Sequence, residues 1–139
     1  MVDILKQITN HVCRDFLLLE GGTLILYIGD IVNVKPFQTV YRLWIDCAWR
    51  LQNSEKILIG SLNDSELILK AMQIVIGKSV NAISATQYSD LSVEFEGGYS
   101  VRTFSYSTQD DIWELRRTDG YRFGISAELI QYEKFEQPD

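Results

Sequence analysis

Between Tyr41 and Leu51 every second residue is large and apolar: Tyr41, Leu43, Ile45, Cys47, Trp49 and Leu51 alternate with Arg42, Trp44, Asp46, Ala48 and Arg50. A period of two cannot lie on one face of a helix, whose pattern repeats every 3.6 residues, so this stretch reads as a long strand with one apolar and one mixed face. Leu91, Val93 and Phe95 alternate more cleanly with Ser92, Glu94 and Glu96, and the run ends at Glu96-Gly97-Gly98. A three-residue loop there sets Phe95 opposite Tyr99 and Val93 opposite Val101. A two-residue loop would set Val93 opposite Arg102. Register follows the apolar pattern, so the three-residue loop is expected, with Gly98 left-handed.

The remaining elements follow from the same periods. Phe16 to Leu19 and Leu24 to Ile28 are apolar runs flanking Glu20-Gly21-Gly22, a hairpin expected to be buried on both faces. Ile57 to Ile59 reads as a short strand. Further strands are expected at about 79–86, 90–95, 99–106, 111–117 and 121–124, with a tight turn at Asp119-Gly120. Ile4, Leu5, Ile8 and Val12 recur at helical spacing and predict a helix over 3–14. A second helix is expected at about 64–76, capped by Asn63 or Asp64, with Leu67, Ile68, Ala71, Met72 and Val75 inward and Gly77 ending it. The tail from about Gln131 is polar and is expected to fray. Each half also runs helix, Asp-led strand, Glu-Gly-Gly, strand, Trp strand. Meander grammar explains that echo without a duplication. The expected fold is therefore α+β: one 139-residue domain with an antiparallel meander sheet and two helices packed on it.

Core residues are expected to be Trp49, Leu43, Ile45, Leu91, Val93, Phe95 and Leu115. A chain this long buries roughly two-thirds of its unfolded surface, enough for a core without disulfides or metal. Its net charge of −6 works against non-specific binding to nucleic acid or anionic membrane, both of which need a positive surface. No apolar stretch approaches bilayer-spanning length, and Asp3, Lys6 and Glu20 interrupt any signal-like segment. Cys13 and Cys47 read as separate buried thiols, which fits a reducing, cytoplasmic setting.

Catalytic motifs thin out quickly. His11 is the one histidine, which removes Ser-His and Cys-His nucleophile pairs and multi-histidine metal sites. Gly77-Lys78-Ser79 resembles the end of a phosphate loop. The position that should open that motif with glycine is Met72, however, and the order runs helix to strand. Glu94 and Glu96 share a strand face near Asp90, as paired carboxylates of a glycosidase would, but alternation alone produces the same face. Asp110-Asp111 lacks the Asp-x-Asp-x-Asp-Gly spacing of a calcium loop. The reading is no enzyme, no cofactor and no metal. Two features remain: the acidic set Asp90, Glu94, Glu96, Asp110 and Asp111, and the partly outward set Trp44, Arg42, Arg50, Tyr106, Trp113 and Arg116, residue types enriched at binding hot spots. For Trp44 and Trp113, packing under neighbouring elements is the simpler alternative.

Tyr41-Arg-Leu-Trp44-Ile-Asp-Cys-Ala-Trp-Arg50, then Ile57-Leu-Ile-Gly60-Ser61, then Asp90-Leu-Ser-Val-Glu-Phe-Glu-Gly-Gly98 and Asp111-Ile-Trp113-Glu-Leu115, together resemble small acidic immunity proteins of bacterial polymorphic and contact-dependent growth inhibition toxin systems. The resemblance covers most of residues 15 to 125 as hydrophobic grammar with a few Trp, Gly and Asp positions, and it transfers no functional residue. It implies a cytoplasmic partner of a toxin C-terminal domain, a nuclease by preference, held one-to-one, with no nucleic acid and no membrane bound. Charge complementarity points to the acidic set as the contact. The alternative is a domain that binds a small molecule without catalysis. The bulky inward residues favour a packed core over a cavity.

Overall fold

The alternation from Tyr41 to Leu51 is realised as two strands in two different sheets. In the computed structural model, which describes residues 2–86, 89–104, 112–126 and 130–136, β3 (Phe37–Ile45) ends before Asp46-Cys47 and β4 (Ala48–Gln52) begins after it. One sheet has the order β1 (Cys13–Leu18), β2 (Leu24–Val34), β3, β9 (Trp113–Arg117), β10 (Tyr121–Ile125) and β11 (Gln131–Phe135). The other has the order β5 (Ile57–Gly60), β4, β8 (Tyr99–Phe104), β7 (Leu91–Phe95) and β6 (Val80–Ala85). All pairings are antiparallel. Leu43, Ile45, Trp49 and Leu51 stay inside across the corner, so a strand that changes sheets keeps its apolar face on the shared core.

The expected α+β class is therefore corrected: among the described residues the chain is mostly strand, with short helical pieces only. The N-terminal helix over 3–14 is reduced to α1 (Val2–Leu5) and one 3-10 turn, Lys6–Ile8. Thr9 is extended and Asn10 is left-handed at φ 71°. The backbone of residues 10–13 then pairs with residues 77–80: Asn10 N–H donates to Val80 O at 2.7 Å and Cys13 N–H to Lys78 O at 2.9 Å, while Val80 N–H donates to His11 O at 2.9 Å. Strand partners satisfy the groups a longer helix would have satisfied, and a helix of about twelve residues is marginal without such help.

The second helix is present but shorter. It consists of α2 (Ser65–Ala71) and a 3-10 turn over Met72–Val75. Ile68, Met72 and Val75 are buried along one narrow stripe, whereas Leu67, expected inward, is 53% exposed. Asp64 takes the N-cap position without a side-chain cap bond, and Asn63 Oδ1 instead accepts the Gly60 N–H at 2.8 Å.

The hairpins follow the expected register. Phe95 pairs with Tyr99 and Val93 with Val101, and Gly98 has φ 84°. All seven expected core residues are buried. The first hairpin is buried on both faces only along the start of β2, because β1 is an edge strand with Leu17 turned outward. Gln131–Phe135, expected to begin a frayed tail, is strand β11 paired along its length with β10. The echo between the halves stops at topology, since β3 stays beside β2 while β9 leaves β8 for the other sheet.

Candidate binding faces

Alternation turns the odd members of β7 inward and leaves Asp90, Ser92, Glu94 and Glu96 on the other side, but these carboxylates have different surroundings. Glu94 is exposed and lines a groove of about 300 Å³ on the outer face of the five-stranded sheet, with Arg102, Gln52, Asn81 and Tyr99. It stands opposite Ser100, while Arg102 stands opposite Ser92 and Arg50, so the two charges are diagonal neighbours. Among the described residues neither side chain makes an ion pair or hydrogen bond. Arg50, by contrast, is engaged: its Nε donates to Gln52 Oε1 at 2.7 Å and its guanidinium lies 4.4 Å above the Phe104 ring.

Glu96 is a tie within the fold. Its Oε1 accepts the Ser79 N–H at 2.9 Å, joining the β7–β8 turn to the start of β6. Asp90 closes the β6–β7 connection, where Thr86 N–H donates to its carbonyl at 2.9 Å and its own N–H donates to Thr86 Oγ1 at 3.2 Å. Asp110, Asp111 and Tyr106 lie outside the described residues. The structure thus places Glu94 in a mixed-charge groove rather than in a purely negative patch.

The outer face of the six-stranded sheet is built around Glu114, which sequence reasoning did not single out. It is only 8% exposed. Its Oε1 accepts from Arg116 Nε at 2.5 Å and lies 3.6 Å from Arg122 Nη1, and its Oε2 accepts the Tyr132 hydroxyl. Charge-assisted bonds of this kind compensate a carboxylate for lost water. Arg116 in turn lies 4.0 Å above the Trp44 ring. Trp44, Glu114, Arg116 and Tyr132 line a cleft of about 140 Å³ with Thr23 and Asp46. Trp113, expected partly outward, is instead buried, and its Nε1 donates to Ser89 O at 2.9 Å.

The two thiols are separate and reduced. Burial pushes Cys13 up to about 12 and Cys47 up to about 11. Among the described residues there is no group of three or more His, Cys, Asp or Glu able to hold a metal ion, and no helix long and apolar enough to cross a membrane. No protein-family model, no curated protein and no solved structure matches the chain.

Proposed function

We propose that the chain is a binding protein of the immunity type, which neutralises a toxin domain in the cytoplasm by one-to-one occlusion and has no reaction of its own. The observation that carries this reading is the split pair Glu94 and Arg102: two opposite charges on a rigid sheet, facing one groove without bridging each other. Charges held apart in this way are ready for complementary charges on a partner, which fix register and suppress wrong partners. The net charge of −6 adds long-range attraction toward a basic toxin domain. The resemblance in the Trp44 and Glu-Gly-Gly regions supplies the partner class.

The test asks first whether a neighbouring gene encodes a toxin domain, whose absence would also count against the reading, then co-expresses the two and measures association kinetics. Wild type should rescue growth. Glu94→Lys should slow association about tenfold at low salt, with a smaller effect on dissociation, and Arg102→Glu should speed dissociation. Glu96 is left untouched, because reversing it would break its bond to Ser79. Failure to rescue, or unchanged kinetics in both variants, would sink the reading.

A second reading has its own support. The groove's volume and its mixture of amide, carboxylate and guanidinium groups also suit a small polar ligand. Thermal stabilisation of the isolated chain by free amino acids, lost in Glu94→Gln, would favour it.

A further inference from the structure

The three tryptophans of the chain differ in one respect. Trp49 Nε1 donates to Gly22 O at 2.8 Å, and Trp113 Nε1 donates to Ser89 O at 2.9 Å. The Nε1 of Trp44 is closed to solvent as well, yet it meets no acceptor among the described residues. A buried donor without a partner is costly, because folding strips its water and returns no bond in exchange. Native structures keep few such atoms, and each one needs a reason. Trp44 is also held in place. Arg116 lies 4.0 Å above its ring and is itself bonded through Nε to Glu114 at 2.5 Å.

Trp44 forms one wall of the cleft of about 140 Å³ at the end of the six-stranded sheet, with Leu19, Thr23, Asp46 and Trp113 among the others. That volume suits a single six-membered ring, since a cavity of about 150 Å³ admits benzene. The polar groups of the wall divide into two kinds. Glu114 is taken by Arg116, Arg122 and Tyr132. Asp46 is exposed and accepts the Thr23 hydroxyl through Oδ1, while its Oδ2 makes no bond among the described residues. The cleft therefore brings together a donor that lacks an acceptor, a carboxylate oxygen that can take a donor, and apolar surface from Leu19 and Trp113. Pockets for small molecules combine these parts: mostly apolar walls with a few placed polar groups.

We infer that this cleft binds a ring-sized neutral molecule bearing an amide, whose carbonyl oxygen accepts the Trp44 N–H and whose own N–H donates to Asp46. An amide is the neutral group that carries an acceptor and a donor side by side. A carboxylate in its place would supply the acceptor but would set a second negative charge against Asp46. An ammonium would suit Asp46 and leave the indole N–H without a partner. A purely apolar ring would fill the volume and satisfy neither group. Because the indole nitrogen is closed to water, the ligand reaches it as a neighbouring side chain turns aside, a rotamer change of the kind common on binding. The cleft lies on the other sheet from the Glu94 groove, so the inference stands whether or not a toxin domain binds there.

The test is proton–nitrogen NMR of the isotope-labelled full chain, titrated with benzamide beside benzoate and acetamide. The indole signal of Trp44 is assigned by its loss in Trp44→Phe, or through its bonded neighbours if that variant does not fold. Benzamide should move this signal downfield and saturate in the millimolar range, as expected for so few atoms, while the Trp49 indole signal stays in place. Asp46→Ala, at an exposed position, should weaken benzamide about tenfold, the worth of one hydrogen bond. Acetamide, which lacks the ring, should bind about tenfold more weakly than benzamide. A Trp44 signal that does not saturate, or that moves in step with Trp49, overturns the site. Benzoate binding as tightly as benzamide overturns the neutral class, and unchanged benzamide affinity in Asp46→Ala overturns the role of that carboxylate. Equal binding of acetamide assigns the cleft to a bare amide, such as an asparagine side chain of a partner, and overturns the ring.

Discussion

Glu114 is a buried carboxylate on which two guanidinium groups and a phenol converge. Replacing a buried carboxylate that serves two guanidinium groups and a phenol strands donors inside the protein, a loss of about 3–5 kcal/mol when one partner of a buried pair is removed. Arg116 and Arg122 keep some water contact, so the lower end is expected: Glu114→Ala should lower the urea-unfolding free energy by about 2–3 kcal/mol. A loss under about 0.5 kcal/mol, typical of a surface site, would show that the network is solvated. The thiols give a pH prediction. Their folded pKa values of about 12 and about 11 lie above the ordinary 9.0, so the fold favours the protonated form. Their contribution to stability is complete below pH 9.0 and is lost as pH rises through about 11 and then about 12. At about pH 9, where a thiol of ordinary pKa is half ionised, both should alkylate at least about fiftyfold more slowly in the native protein than in urea. Equal rates would mean that the cysteines are exposed. At this scale alternation made the outward direction of Glu94 readable. It could not foresee that Glu96, one turn residue further on, would bend to Ser79, or that Trp113 would turn inward to reach Ser89.

At the scale of elements, hairpins were readable because two independent signals agreed, the period of two and the glycine turn. The Asp119-Gly120 turn is an example: Gly120 has φ 96°, and its N–H donates to Arg117 O at 3.1 Å. The turn was readable but its register was not: a two-residue loop at Asp119-Gly120 would set Arg117 opposite Arg122, whereas Arg116 stands there. The strand after it was hidden because β11 is an edge strand with a largely exposed face, and its composition reads as a polar tail. The helix over 3–14 failed for a related reason. Helical spacing marked Leu5 and Ile8 correctly, but the competing partner at residues 77–80 is distant in sequence. The attachment of β11 gives a test. A methyl group on Gly124 would sit 2.6 Å from Trp113 O and 2.9 Å from the Tyr132 hydroxyl. Gly124→Ala should therefore push β11 away and cost about 2 kcal/mol or more, in the range of overpacked sites. Amides of Tyr132 and Lys134 should then exchange rapidly while those of β8 stay protected. Unaltered protection in β11 would show that the sheet absorbs the methyl by a shift of backbone.

Across the whole molecule, the feature that alternation could not express is the change of sheet at Asp46-Cys47. Periodicity reports which face is inside and is silent on which sheet a strand joins. Because Leu43 and Ile45 precede the corner and Trp49 and Leu51 follow it, all within one buried cluster, neither sheet has a core of its own. Further links bind the two halves. Trp49 Nε1 donates to Gly22 O at 2.8 Å, and Trp113 Nε1 donates to Ser89 O at 2.9 Å. A single cluster bridged in this way should unfold as one unit, with the slowest amides in both sheets opening only through global unfolding. Native-state hydrogen exchange under rising urea should bring the amides of Leu43 and Ile45 in β3 and of Val101 and Thr103 in β8 onto one common isotherm. Leu115→Ala, which removes a fully buried side chain from the six-stranded sheet, should lower that isotherm by about 2–5 kcal/mol at all four positions, including the two in the other sheet. If β8 kept its protection while β3 lost it, the sheets would be separate folding units, and the corner would be a linker rather than part of the core.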